Sequence, residues 1–412
     1  MKYILILIII CSEFANAQDT LSSTLVEPFS YEFDLKNRHF IGAGAEILLE
    51  EVQRSQFVLL GETHGDAKIA EFTDILLDTL SSMSFKYFIT EHGRYGLQFL
   101  IEDIKQDSSI TNGLYRVNTN EYMRLNKFPF PFLSGIEDAK FMSTAVEKGY
   151  ELYGIDQEFY YSFPYLFDRL YAQNRKSSEI DKSYIKALTY MLSQYKNEQQ
   201  DKDYPICKNF LESTEIKKFL DEINCELDFD EIKKDIVLSW NIYEKHISDR
   251  RESVILRGSL MTSRFQDYLD GKMEEDLAIP KFIIKLGALH TVRGVTPLGI
   301  KDVGEVVHQA ANLNRTNDVN VYFMFRYYQD DGEELGYFDN AEGNSKWLNE
   351  LKPLMLQGKP DKWILINLKA LGMFIKSNNL FVFHPIADMI QGHDFIIIPP
   401  ASKDVTENKD NI

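Results

Sequence analysis

An α/β fold, with a mostly parallel central sheet flanked by helices and a large helical insertion, is what this 412-residue sequence predicts. Three observations carry that expectation. Short β-branched or aromatic runs recur between longer stretches of helical periodicity, the pattern of a sheet built with crossover helices. Several of these runs are apolar at consecutive positions, as strands covered on both faces must be. One interval, residues 157–280, offers helical periodicity and no good strand.

The first element reads as an address. Lys2, the apolar run from Tyr3 to Cys11 and the sequence Ala15-Asn16-Ala17 have the form of a secretory signal peptide, residues 1–17, with cleavage expected after Ala17. The run is shorter than the ~20 residues that a membrane-spanning helix needs. Ile10 stands before Cys11, where a lipid-attachment signal has a small residue. The expected mature chain is exported, periplasmic or secreted, with no membrane insertion after signal cleavage.

Residues 18–156 form the first part of the predicted core. Strands are expected at Phe57–Leu60, Tyr87–Thr90 and Glu151–Ile155, and helices over Ala67–Met83, Tyr95–Lys105 and Asp138–Lys148. The insertion, 157–280, opens with the aromatic run Phe159 to Phe167, which suits a core or a pocket lining. From Phe229 to Leu269 there is no proline and only Gly258, so the stretch reads as one long or gently broken helix. Residues 281–402 complete the core with strands at Phe282–Leu289, Val319–Arg326 and Phe395–Ile398. Asp330–Lys362 reads as an exposed excursion, and the charged tail 403–412 as disordered.

Composition narrows the function. A net charge of -18 argues against nucleic-acid or anionic-membrane partners, which require a basic surface. Cys207 and Cys225 follow the signal and are too few for a metal knuckle; free thiols or one structural disulfide are expected.

Four expected strands each end in a chemically capable residue. Phe57 to Leu60 leads into Gly61-Glu62-Thr63-His64-Gly65, Phe88-Ile89-Thr90 into Glu91-His92-Gly93, and Leu152 to Ile155 into Asp156. Phe282 to Leu289 leads into His290, with Arg293 and Gly294 just beyond. In parallel sheets ligands bind beyond the carboxyl ends of the strands. A single histidine there is more often structural, and a single acid more often a helix cap. Four in phase point to a site. Asp156 and His92 are candidate substrate-binding residues of that site, although His92 follows Glu91 directly and neighbours on an extended chain face opposite sides.

A histidine beside a carboxylate is held in one tautomer and made more basic, so it can take a proton from water. His64 suits that role, with Glu62 or Glu91 orienting it. His290 and Arg293 suit polarising a carbonyl or holding an anionic group. There is no Gly-x-Ser-x-Gly elbow for a serine route and no His-Glu-x-x-His. Two histidines with carboxylates can also hold a divalent metal.

Leu-Leu-Gly-Glu-Thr-His-Gly, Ile-Thr-Glu, Tyr-Gly-Ile-Asp and Lys-Leu-Gly-Ala-Leu-His-Thr-Val-Arg-Gly, in that order, resemble the erythromycin esterase-like group and its relatives, including the haem-binding ChaN proteins. The resemblance runs from about Phe57 to Pro399. It implies a hydrolase of a small-molecule substrate, with His64 as base, Glu62 and Glu91 as its carboxylate partners and His290 as a second site histidine. It also implies a site arginine on a preceding helix, which Arg257 fits by its spacing to Met261 and Phe265; Arg251 is a poorer register. The esterases have one more residue between the first glutamate and histidine, and a histidine where this chain has Gly287. The shorter Gly-Glu-x-His form is closer to the ChaN type, for which the resemblance implies haem or iron handling.

Overall fold

The computed structural model describes residues 20–119, 128–201, 203–223, 229–276, 278–324, 327–328, 334–336, 345–401 and 403–408. The signal segment, Cys225 and Arg326 lie outside them. Among the described residues eleven strands are β1 (Ser30–Lys36), β2 (His39–Ile41), β3 (Phe57–Glu62), β4 (Phe85–Gly93), β5 (Glu151–Asp156), β6 (Lys281–Gly287), β7 (Asp318–Phe323), β8 (Tyr327–Tyr328), β9 (Glu334–Gly336), β10 (Trp363–Asn367) and β11 (Phe395–Ile398). Nine of them form one sheet in the order β2-β1-β10-β11-β7-β3-β6-β4-β5, and β8 pairs with β9 apart from it. From β11 to β5 every pairing is parallel, whereas β2, β1 and β10 join antiparallel at one edge.

Alternation along the central strands explains why their sequences are apolar at every position. Val58 and Leu60 pack with Ile69, Phe72 and Phe141 on one face. Phe57 and Leu59 pack with Met261, Phe265 and Val303 on the other. The helices Ala67–Ser81 and Ile136–Glu147 thus cover the first face, and Arg250–Glu275 with Val303–Asn314 the second.

Five expectations need correction. The stretch from Phe229 is two helices, Phe229–Ser248 and Arg250–Glu275, folded back on each other. Asp249 breaks it by accepting the Glu252 N–H at 3.0 Å, a local alternative to the helical bond, and Arg264 pairs with Asp235 across the hairpin. The strand expected to reach Leu289 stops at Gly287, and Ala288–Thr291 is a helical turn that carries His290. The strand expected at Val319–Arg326 runs Asp318–Phe323. The excursion 330–362 includes the helix Ser345–Met355, which buries Leu351, Leu354 and Met355 beside Ile364 and Ile396. The tail is not loose as far as Asn408: residues 403–408 hydrogen-bond to Gly65, Ala67, Ser134 and Ile136.

The insertion's aromatic run is core. Phe163, Tyr165 and Phe167 are buried with Phe210, Phe219 and Trp240. Cys207 is buried among them. Among the described residues no helix is long and apolar enough to cross a membrane.

Candidate active site

β3, β6 and β4 are neighbours, and their register sets Glu62 beside Gly287. The ends of three strands therefore meet at one place. Glu62 is buried, and its Oε1 takes the His64 Nδ1–H at 3.0 Å and the Lys285 ammonium as well. Burial pushes the Glu62 carboxyl up, but Lys285 and His64 more than offset it and hold it below its ordinary value.

Glu91 comes from the other face of the sheet. Its Oε2 accepts the Gly287 N–H at 2.5 Å and its Oε1 accepts Arg257 Nη2 at 2.7 Å. His64 Nε2 lies 3.6 Å from one of its oxygens and His290 Nε2 3.8 Å from the other, so the carboxylate stands between two imidazoles. Burial opposes its ionisation, yet His290, Arg257, His64 and the Gly287 N–H bring it down to about 2. His290 donates from Nδ1 to Asp302 Oδ2 at 2.7 Å, which leaves Nε2 facing Glu91. Burial lowers the affinity of this ring for a proton. The Asp302 hydrogen bond and the Glu91 charge win, and His290 titrates above its ordinary value.

Arg257, from the helix Arg250–Glu275, binds Asp156 in a fork: Nε to Oδ1 at 2.9 Å and Nη2 to Oδ2 at 2.6 Å. Asp156 thereby aims the guanidinium at Glu91. Arg251 points elsewhere, onto the carbonyls of Leu298 and Gly299. The His64 and Arg257 side chains are 28% and 31% exposed against 5% for Glu91, so those two form the mouth of the cluster.

Gly287 makes the convergence possible. A Cβ there would lie 2.9 Å from His64 Nε2 and 3.2 Å from Glu91 Oε2. Without a side chain, Gly287 leaves room for His64 itself.

Two expected site residues lie outside the cluster. His92 turns away, as alternation required: its Nε2–H donates to the Pro131 carbonyl at 2.9 Å and its Nδ1 accepts the Thr90 hydroxyl at 2.9 Å. Burial pushes it down to about 4, so it is neutral. Arg293 was expected to hold substrate. Instead Asp318 at 2.8 Å and Asp394 at 3.0 Å neutralise it, and Asp318 pairs with Phe57, at the far end of β3 from Glu62. The chain after His290 runs back over the sheet and carries Arg293 with it.

Lys285 opens one of the motifs without being given a role there, and Asp302 lies outside them. Lys285 left a signal, a lone charge inside Phe282-Ile283-Ile284-Lys285-Leu286. Asp302 is also the cap of the helix Val303–Asn314, accepting the Val303 N–H at 2.8 Å, so it looks like any helix start. Among the described residues no three histidine, cysteine or carboxylate side chains are placed to share one metal ion. A groove of about 530 Å³ lined by Arg38, Asp74, Glu137 and Lys140 contains none of the cluster.

No family model matches the chain, and no curated protein matches it in sequence. Solved structures do. A protein from Bacillus cereus aligns over 93% of this chain and 98% of its own, at 12% identity and a TM-score of 0.51. An erythromycin esterase mutant in its open conformation aligns over 94% and 98%, at 12% identity and a TM-score of 0.45. ChaN of Campylobacter jejuni, in a structure of its cofacial haem binding, aligns over 72% and 91%, at 14% identity and a TM-score of 0.31. The sheet order and the placement of its helices are thus those of an α/β fold that this chain shares, over nearly its whole length, with the Bacillus cereus protein.

Proposed function

We propose that this chain is an exported hydrolase that uses His64 to activate water against an ester or related bond of a small molecule. The observation that carries the reading is the pairing of both imidazoles. His64 is fixed by Glu62 at Nδ1, His290 by Asp302 at Nδ1, and both present Nε2 toward Glu91. Export rests on the Lys2 to Ala17 pattern.

The chemistry follows from the charges. Glu62 is ionised, so the His64 proton sits on Nδ1 and the lone pair on Nε2 is available to a water. As the water oxygen bonds to the carbonyl carbon, its proton passes to His64. The imidazolium then lies between two carboxylates that stabilise it. Arg257, held by Asp156 at the mouth, is placed to meet the oxyanion. His290 is tuned to keep its proton and donates it as the carbon–oxygen bond to the alcohol breaks. His92 and Arg293 take no part.

The test is hydrolysis of a panel of chromogenic esters by the purified chain from Gln18, with and without chelator, beside His64→Ala and a haem titration. Turnover should survive the chelator and fall by about 100-fold or more in the variant, the scale of a lost general base. Turnover abolished by chelator would reassign the residues to a metal-dependent hydrolase or peptidase. Saturable haem binding without turnover would make it a haem- or iron-binding protein.

A further inference from the structure

His64 touches one residue that neither the motifs nor the proposed chemistry uses. The Phe132 ring lies on the imidazole with centroids 3.5 Å apart and planes 18° from parallel. Phe132 holds that place with a φ of 62°, in the left-handed region that bulky side chains avoid. Such a backbone persists only where its surroundings over-determine it.

They do so from both sides. Upstream, the Pro131 carbonyl accepts the His92 Nε2–H at 2.9 Å. Downstream, the Asn408 N–H donates to Ser134 at 2.7 Å and the Ile136 N–H to Thr406 at 2.8 Å. The Thr406 N–H reaches Glu137 at 2.8 Å. Val405 fills the space over Gly135, where a Cβ would come within 2.5 Å of its side chain. The segment 403–408 also grips the loop after His64. The Val405 N–H donates to Gly65 at 2.8 Å, and the Ala67 N–H to Lys403 at 2.9 Å.

We infer that Phe132 is a positioning residue for His64, and that residues 403–408 with His92 form the clamp that holds the two rings in register. One segment binds both the loop carrying the base and the loop carrying its aromatic cover, so neither loop shifts alone. With Nδ1 tied to Glu62 and one face covered, the imidazole keeps a single orientation. The clamp also gives a role to His92, which follows Glu91 in the motif but is buried facing away from the cluster. The inference deepens the hydrolase reading and rests on it for calling His64 the base, while the stack is measurable without a substrate.

The experiment is carbethoxylation of His64 by diethyl pyrocarbonate near neutral pH, followed by peptide mass spectrometry with the exposed His39 as internal reference. Val405→Pro deletes the N–H that holds Gly65, and Gly135→Ala presses a methyl group against Val405. Each should speed labelling of His64 by about tenfold relative to His39, as local opening allows, and Phe132→Ala should do the same. Combining Val405→Pro with Phe132→Ala should add nothing, because both remove one stack. Labelling of the buried His393 reports global unfolding; should Val405→Pro unfold, Gly135→Ala decides. A His64 rate unchanged by Gly135→Ala in the folded chain would overturn the clamp, and so would independent, multiplying effects in the double variant. Failure of ester turnover in the unsubstituted chain counts against the hydrolase reading alone, since labelling still reads the stack.

Discussion

Lys285 interrupts the apolar run of β6, and its ammonium is buried against Glu62 and 5.1 Å from the centroid of the Phe141 ring. Removing one partner of a buried ion pair leaves the other charge without compensation, at about 3–5 kcal/mol. Lys285→Met should therefore lower stability in urea by that order, and the double variant with Glu62→Gln should recover much of the loss. Equal stability of the two variants would mean that Glu62 is solvated by other means. Asp302 makes a different kind of contribution. It holds the His290 proton against burial, so Asp302→Asn should move the alkaline limb of the kcat/KM profile to lower pH. At this scale the sequence reveals what sits at a strand's end and hides what stacks or pairs from elsewhere. Glu62, His64, Glu91 and His290 stand in phase after apolar runs. Phe132 meets His64 only because the loop after residue 130 folds over β3, and nothing local to Phe132 signals it.

Between strand and helix, two glycines have opposite meanings. Gly287 ends β6 with ordinary backbone angles, and its hypothetical Cβ would meet the far end of the His64 side chain. Gly304 opens the helix Val303–Asn314, and its Cβ would fall 1.9 Å from the Thr291 carbonyl oxygen, on fixed backbone. Gly287→Ala should thus displace the imidazole and cost activity by at least about tenfold while changing stability by only about 1 kcal/mol. Gly304→Ala should destabilise by about 3 kcal/mol or more, because two elements must separate. Thermal melts beside ester turnover distinguish the two, and a stable, active Gly287→Ala chain would remove His64 from the mechanism. The elements themselves were unequally legible. The parallel strands announce themselves because both faces are covered. β1 alternates Tyr31, Phe33 and Leu35 with polar residues near the sheet's antiparallel edge, so a search for continuous apolar runs passes over it. The turn at Asp249 was hidden because one capping aspartate, rather than a glycine or proline, makes the break.

The whole molecule gathers its titrating groups at one end and its neutral histidines beneath the surface, and this sets how it responds to acid. His92 and His393 are buried and pushed down to about 4 from an ordinary 6.5. Folding keeps both neutral, whereas the unfolded chain binds a proton on each below pH 6.5. Their contribution is complete above that value and is lost as the pH falls toward 4. Each gap corresponds to on the order of 3 kcal/mol when fully developed. Glu91, held at about 2 against an ordinary 4.5, has the same sign in a lower window, since its stabilisation is lost only as pH falls from 4.5 toward 2. His290 has the opposite sign: its raised value favours the folded state below pH 6.5, and that gain disappears as pH rises through the folded value. Below pH 6.5 that gain is constant, whereas Asp138, pushed up to about 7 by burial, favours the folded state increasingly as pH falls toward 4 and offsets part of the loss from the two histidines. The histidine contribution is therefore lost before that of Glu91. The histidine part of the melting temperature should fall from pH 6.5 to 4, and His393→Phe, which replaces a ring with two unpartnered nitrogens, should flatten the fall. His92→Gln should flatten it as well but loosen the Pro131 carbonyl, so its melting temperature at neutral pH should drop where that of His393→Phe does not. A pH dependence that neither substitution changes would show that the two rings accept protons without leaving their places.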